Sequence, residues 1–170
     1  MNKITRFALL ATLAFFIGYG GTEAEARSVV SSPGVDRGTI LIQTSKRRLY
    51  LGLGNGKAVS YRIGVGRAGR QWTGQRRIYA KALKPAWRPT PDIRRDKPNI
   101  ASIIPGGSPK NPMGAAALLI SGSGQYAIHG TNNPGSIGGY VSYGCIRMHN
   151  KDVMDLYSRV GIGTRVIVTK

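Results

Sequence analysis

Seven of the nine prolines in this 170-residue chain fall between Pro85 and Pro112. Proline fixes φ and removes a ladder donor, so that stretch cannot be regular sheet. On both sides of it the apolar residues follow strand patterns. Upstream, Thr39–Thr44 and Arg48–Leu53 read as strands, and Asn55-Gly56 reads as a hairpin turn because both positions tolerate positive φ. Val59, Tyr61, Ile63 and Val65 then alternate with polar or small residues as a third strand. Downstream, residues 115–121 and 125–129 are apolar runs of strand length, and residues 164–169 form a closing strand. Asn150 is placed to cap a helix over 151–160, in which Val153, Leu156, Tyr157 and Val160 share one face. Asp152 falls in its first turn, and Gly161 and Gly163 end it. The expectation is a mostly β domain with one short amphipathic helix and a long Pro-rich loop, residues 85–112. That loop is too apolar to be a plain linker, and loops this long inside a domain usually carry function.

The N-terminus reads as an export signal. Lys3 and Arg6 precede an apolar run from Phe7 to Tyr19, and the segment closes on Ala24-Glu25-Ala26. The run is shorter than the roughly 20 residues of a membrane span. The expected organisation is a secretory signal peptide over 1–26, a short polar lead-in over 27–37 and one domain over 38–170, with no transmembrane anchor in the mature chain. The expected location is outside the cytoplasmic membrane.

Removing Lys3, Arg6, Glu23 and Glu25 leaves 23 basic and 5 acidic residues, and the acids are all aspartates. A surface that basic is drawn to polyanions. The cations are scattered, and no nucleic-acid-binding motif is present, so nucleic acid is not an expected partner. For an exported protein the available anions are wall polymer, anionic lipid and lipopolysaccharide.

Cys145 is the only cysteine, so no disulfide can form within the chain. Taken alone, a single Cys behaves as a small buried hydrophobe. Its setting, Ser142-Tyr143-Gly144-Cys145, is instead that of a loop able to present backbone N–H groups around a sulfur. His129, sixteen residues upstream at the end of an apolar run, is a candidate base, and the main-chain carbonyl of Gly130 is a candidate acceptor for one of its ring nitrogens. His149 reads as a polar residue at a loop–helix junction. His129, Cys145 and His149 lack the paired spacing of a zinc site, so no metal and no cofactor are expected. A secreted cationic binding protein with an inert thiol is the reading from outside enzymology.

The stretch from His129-Gly130-Thr131 to Ser142-Tyr143-Gly144-Cys145-Ile146-Arg147-Met148 resembles the active-site signature of the L,D-transpeptidases, the YkuD-like domain. The resemblance extends to Asn111-Pro112-Met113-Gly114 and to His149-Asn150-Lys151-Asp152. It implies that residues 38–170 are a β-sandwich catalytic domain acting on peptidoglycan stem peptides in the periplasm, in association with the cell wall. Cys145 would attack the L-centre carbonyl of a tetrapeptide, release D-Ala and hold a thioacyl group for an amine acceptor, giving a 3→3 cross-link. His129 would be base and then acid, oriented by Gly130. The amides of Tyr143, Gly144 and Cys145 would hold the oxyanion. Arg147 and Ser142 would contact substrate, and Trp72 and Trp87 are candidate groove residues. Relatives also use water, or a protein amine in attaching outer-membrane proteins to the wall, as acceptor. One position departs from the pattern: Tyr143 stands where the family often has His.

Overall fold

In the computed structural model, which describes residues 27–122 and 125–170, Asn55 and Gly56 both adopt positive φ, 50° and 65°. They turn the expected hairpin. The strands in chain order are β1 (Arg27–Ser31), β2 (Ile40–Gln43), β3 (Arg48–Gly54), β4 (Lys57–Arg62), β5 (Val65–Gly66) and β6 (Gly74–Leu83). A short helix α1 (Pro91–Asp96) follows, then β7 (Ala116–Ile120), β8 (Tyr126–His129), β9 (Tyr140–Ser142), β10 (Ile146–Arg147), helix α2 (Asn150–Arg159) and β11 (Arg165–Thr169).

Nine strands form one sheet in the order β1-β4-β3-β2-β11-β6-β7-β8-β10. The sheet folds over at β6. The first half of that strand pairs with β11 through Gly74–Arg77, and its second half pairs with β7, with an irregular register between Ile78 and Ala80. The core lies between the two leaves. Ile40, Ile42, Leu49 and Tyr61 from one leaf meet Leu118, Ile120, Ile128 and Ile146 from the other, all 2% exposed or less. Each such side chain contributes roughly 1.5–3 kcal/mol of hydrophobic stabilisation. Two-stranded pairing of β5 with β9, and a bridge between Gly64 and Arg147, join the far strand β10 back to the segment after β4. This is the expected mostly β, sandwich-like architecture.

Three local expectations are corrected. The polar lead-in begins with a strand, because Arg27–Ser31 pairs antiparallel with the otherwise open edge of β4. The Pro-rich segment is not wholly irregular: Thr90 Oγ1 accepts from Ile93 N and Pro91 starts α1, the usual chemistry of a helix N-terminus. Helix α2 starts one residue early, so its N-cap is His149 and Asn150 is free for other contacts. The expected signal peptide, 1–26, lies outside the described residues. Among the described residues, no helix is long and apolar enough to cross a membrane.

Both ends of α2 are fixed to the sheet. Val153 and Leu156 are fully buried in the core. At the C-terminus Lys81 Nζ of β6 donates to the carbonyls of Tyr157 (2.7 Å) and Val160 (2.6 Å), supplying a cation where the helix dipole favours one. On its outer side Asp155 accepts from the Tyr61 hydroxyl (2.6 Å) and pairs with Arg159 and Arg27. Burial works to raise the Asp155 carboxyl, but the Arg159 and Tyr61 hydrogen bonds outweigh it and hold the group below its ordinary value.

Tyr61→Phe is expected to cost roughly 1.5–3 kcal/mol near neutral pH, as for a hydrogen bond to a charged group. Because the Asp155 value is depressed on folding, its stabilisation is present above the unfolded carboxylate value and lost as pH falls through the folded one. Urea unfolding of parent and variant should therefore differ at pH 7 and converge in strong acid. An equal difference at both would contradict the coupling.

Candidate active site

Strand β10 lies parallel to β8, with Ile146 opposite Ile128 and Arg147 opposite His129. Side chains alternate along a strand, so Ala127 and His129 share a face with Cys145 and Arg147. The rest of that strand pair holds the core: Ile128 and Ile146 point inward, 0% and 2% exposed. The expected thiol and imidazole are thereby brought to one surface of the sheet, with a guanidinium beside them.

His129 is 4% exposed, and its Nδ1 lies 2.6 Å from the carbonyl oxygen of Gly130. A carbonyl only accepts, so Nδ1 carries the proton and Nε2 keeps its lone pair. Burial, then the positive charge of Arg147, lowers the imidazole to about 4, against an upward pull from the carbonyls of Gly130 and Pro112. Burial likewise pushes the Cys145 thiol up, against the Ala127 main chain and Arg147. Its sulfur contacts the carbonyl of Gln125 at 3.7 Å. Arg147 is half-buried and its Nε has no hydrogen-bond partner among the described residues. At neutral pH the site therefore holds a neutral base, a neutral thiol and an unpaired cation.

The loop before the thiol is internally braced. Ser142 Oγ accepts from the Gly144 amide (3.1 Å) and donates to the Cys145 carbonyl (2.6 Å). Of the three amides expected to face an oxyanion, that of Gly144 is thus engaged within the loop, while those of Tyr143 and Cys145 have no protein partner among the described residues. Gly144 has φ +119°, and a Cβ there would sit 2.5 Å from the Tyr126 ring. Trp72 stacks on that ring, with centroids 4.9 Å apart, and donates its indole N–H to the Gly144 carbonyl (2.9 Å). Trp72 is therefore a brace for the loop.

A cavity of about 650 Å³ opens over the thiol. Cys145, Tyr143 and Trp87 line it, together with Tyr79, Thr90, Tyr126 and Met113. Ser142, His129, Gly130, Arg147 and Trp72 do not. The Pro-rich segment covers one side. Trp87 pairs with Ile104 across that segment, and Asn111 Nδ2 gathers it by donating to the carbonyls of Pro85, Ile104 and Pro105.

Sequence reasoning missed two sets of residues here. Asn150, read as a helix cap, instead accepts through Oδ1 from the amides of Ala115 and Thr131 and donates to the Thr131 carbonyl (3.0 Å). It ties α2 to the main chain on both sides of Gly130, where any Cβ would meet Asn150 Oδ1 at 2.2 Å. The second set is ionic. Asp92 of α1 pairs with Arg70, and Asp96 pairs with Arg67 (2.6 Å) and accepts from the Tyr143 hydroxyl (2.8 Å). Arg67 also lies over the Tyr143 ring at 4.2 Å. The acidic first turn after Thr90-Pro91 was a legible helix signal; its arginine partners, more than twenty residues away, were not.

Among the described residues, no group of three or more His, Cys, Asp or Glu side chains gathers as a metal site.

Known proteins resemble this chain over most of its length. The family model described as the L,D-transpeptidase catalytic domain, YkuD, matches residues 37–168. The Escherichia coli protein ErfK/SrfK, named as a probable L,D-transpeptidase, is 35% identical over 160 residues, which cover 89% of this chain and 50% of that one. YkuD of Bacillus licheniformis, which carries a similarly provisional L,D-transpeptidase name, is 39% identical over 144 residues, 82% of each chain. The chain thus spans about half the length of the Escherichia coli relatives it matches. In structure it is similar to the catalytic domain of an Enterococcus faecium L,D-transpeptidase acylated by ertapenem, with TM-score 0.59, 16% identity and coverage of 79% of this chain and 98% of that one.

Two outcomes test the site as built. Alkylation of Cys145 by iodoacetamide should accelerate about ten-fold per pH unit from pH 6 to beyond 8.5, as for an unassisted thiol; a flat rate between pH 5 and 7 would reveal a resting thiolate–imidazolium pair. Asp96→Asn should speed amide exchange in α1, and high salt should do the same to the parent. Unchanged exchange in both would show that the ion pairs do not hold the segment.

Proposed function

The chain belongs to the L,D-transpeptidase family, and from that membership we propose that it cross-links peptidoglycan through a thioacyl-enzyme on Cys145. The donor is a tetrapeptide stem. The thiol sulfur bonds to the L-centre carbonyl carbon of the third residue, the bond to D-Ala breaks, and the acyl group stays on sulfur. A side-chain amine of a second stem then attacks, forming the 3→3 amide and returning the thiol.

The observation that carries this reading is a neutral, tautomer-fixed imidazole on the same sheet face as a thiol that opens onto a cavity of peptide size. His129 takes the thiol proton as the sulfur attacks, so that charge develops only with the reaction, and passes it to the departing amine of D-Ala. A base lowered to about 4 gives that proton up readily. Gly130 holds the tautomer. In the tetrahedral intermediate the oxyanion is met by the amides of Tyr143 and Cys145, with Gly144 and Ser142 shaping the loop that presents them. Arg147 stabilises developing negative charge at the sulfur through its position beside both groups. Trp87 packs on the donor stem within the cavity. The reaction takes place outside the cytoplasmic membrane, after export directed by residues 1–26.

Purified protein given a defined tetrapeptide donor and competing acceptors tests each part. The expected products are free D-Ala and a 3→3 linked dimer. Cys145→Ala should form neither, and His129→Ala should lose about 10²–10⁴-fold in rate, the usual scale of acid–base catalysis. D-Ala release with tripeptide as the only other product would assign water as acceptor; transfer solely to a protein lysine would assign wall attachment. Undiminished turnover by Cys145→Ala would overturn the proposal.

A further inference from the structure

On the outer face of the front leaf, four side chains stand in one row across four strands. Arg62 of β4 is opposite Arg48 of β3, Arg48 is opposite Gln43 of β2, and Gln43 is opposite Thr169 of β11. Their neighbours Tyr61, Leu49, Ile42 and Val168 are buried in the core, so the row points the other way. At roughly 4.8 Å between strands, it extends about 14 Å. Val35, Leu41 and Ala58 form a small apolar cluster on the other part of this face and do not include the row. Lys46 and Arg47 in the β2–β3 turn add further cations beside it.

Two arginines directly opposite each other destabilise a sheet unless an anion lies between them. Within the described residues none does. Asp36 pairs with Arg165, Asp92 with Arg70 and Arg95, Asp96 with Arg67, and Asp155 with Arg27 and Arg159, while Asp152 is buried. The cations are instead steadied by neutral groups. The Arg62 guanidinium lies against the main chain at Gly138, where a Cβ would meet Nη2 at 2.5 Å. Arg47 Nη1 donates to the Tyr140 hydroxyl (3.2 Å). Among the described residues Gln43 Oε1, an acceptor in the middle of the row, is buried without a hydrogen-bond partner and so holds neither guanidinium. None of these residues lines the cavity over Cys145.

We propose that this row is a second, non-catalytic hold on the wall polymer, binding the free carboxylates of its stem peptides. It rests on the reading of the chain as a wall enzyme. Planar guanidinium forks donate two hydrogen bonds at a time to a carboxylate, and two adjacent forks fit successive carboxylates along one stem. A second contact with the same polymer keeps the cavity at high local concentration of donor stems.

The test uses the full chain carrying Cys145→Ala, which cannot turn substrate over, sedimented with purified sacculi across a salt series. Arg48→Gln with Arg62→Gln is compared with Lys57→Gln with Lys110→Gln, an equal change of charge elsewhere on the exposed surface. The row pair should weaken binding about ten-fold more than the lysine pair, a difference near one decade in Kd. Amidating the sacculus carboxylates should abolish that difference, and soluble stem peptide should compete better than inorganic polyphosphate at equal charge. The row variant should melt at or above the parent temperature, since repulsion is relieved. Equal losses from the two pairs, persistence of the difference on amidated sacculi, better competition by polyphosphate, or a lower melting temperature would each overturn the proposal. Row-dependent binding by a parent that releases no D-Ala would instead overturn the transpeptidase reading and leave the surface standing.

Discussion

Two parallel residue pairs, Ile146 with Ile128 and Arg147 with His129, fix where everything reactive in this protein stands. Strand side chains alternate, so a slip of one residue would turn Cys145 and Arg147 into the core and expose Ile146. The burial of Ile128 and Ile146 opposes that slip with several kcal/mol in all. The bridge between Gly64 and Arg147 grips the same short strand from its other side, with backbone bonds of 2.9 and 2.8 Å. A two-residue strand is thereby held as firmly as a long one, and the loop before it inherits that precision.

Desolvation then sets the chemistry. In water a thiol and an imidazole titrate near neutrality and can trade a proton at rest. Here burial drives the two values apart, lowering His129 and raising Cys145, while Arg147 lowers both. In the proposed reaction the thiol is therefore silent until a carbonyl arrives to take up the charge. Scarcity of acid shapes the rest. Beyond residue 26 the chain has five acidic side chains. Asp92 and Asp96, from one six-residue helix, tie the Pro-rich cover to Arg70, Arg67 and Tyr143. Tyr143 therefore contributes a hydroxyl that links the loop before the thiol to the cover, a contact through its side chain in addition to its main-chain amide.

The parts legible in the sequence are those whose signals are local. The β3–β4 hairpin announces itself through Asn55-Gly56, and α2 through the spacing of Val153, Leu156 and Tyr157. Cys145 and His129 stand out because each is rare in this chain and each sits in a short recognisable motif. Strand β6 was silent for a physical reason. It crosses between the two leaves, so only Ile78 is fully buried and the irregularity at Ile78–Ala80 breaks its alternation. Asn150 illustrates a second limit. Its residue type fits a helix cap, but its partners Ala115 and Thr131 are 35 and 19 residues away, and only the fold brings them near. Trp72 is the third case, since an exposed-looking aromatic next to a basic strand gives no hint that its N–H will hold the Gly144 carbonyl.

The central claim is that the tetrapeptide donor becomes covalently attached to Cys145 with loss of its terminal residue. Rapid acid quench of the enzyme with donor alone, followed by intact-mass analysis, reads this directly. The account requires an adduct equal to the donor stem minus D-Ala, mapped by peptide digestion to Cys145 and discharged when an amine acceptor is added before the quench. An adduct that retains D-Ala, or one that forms equally on Cys145→Ala, would contradict it.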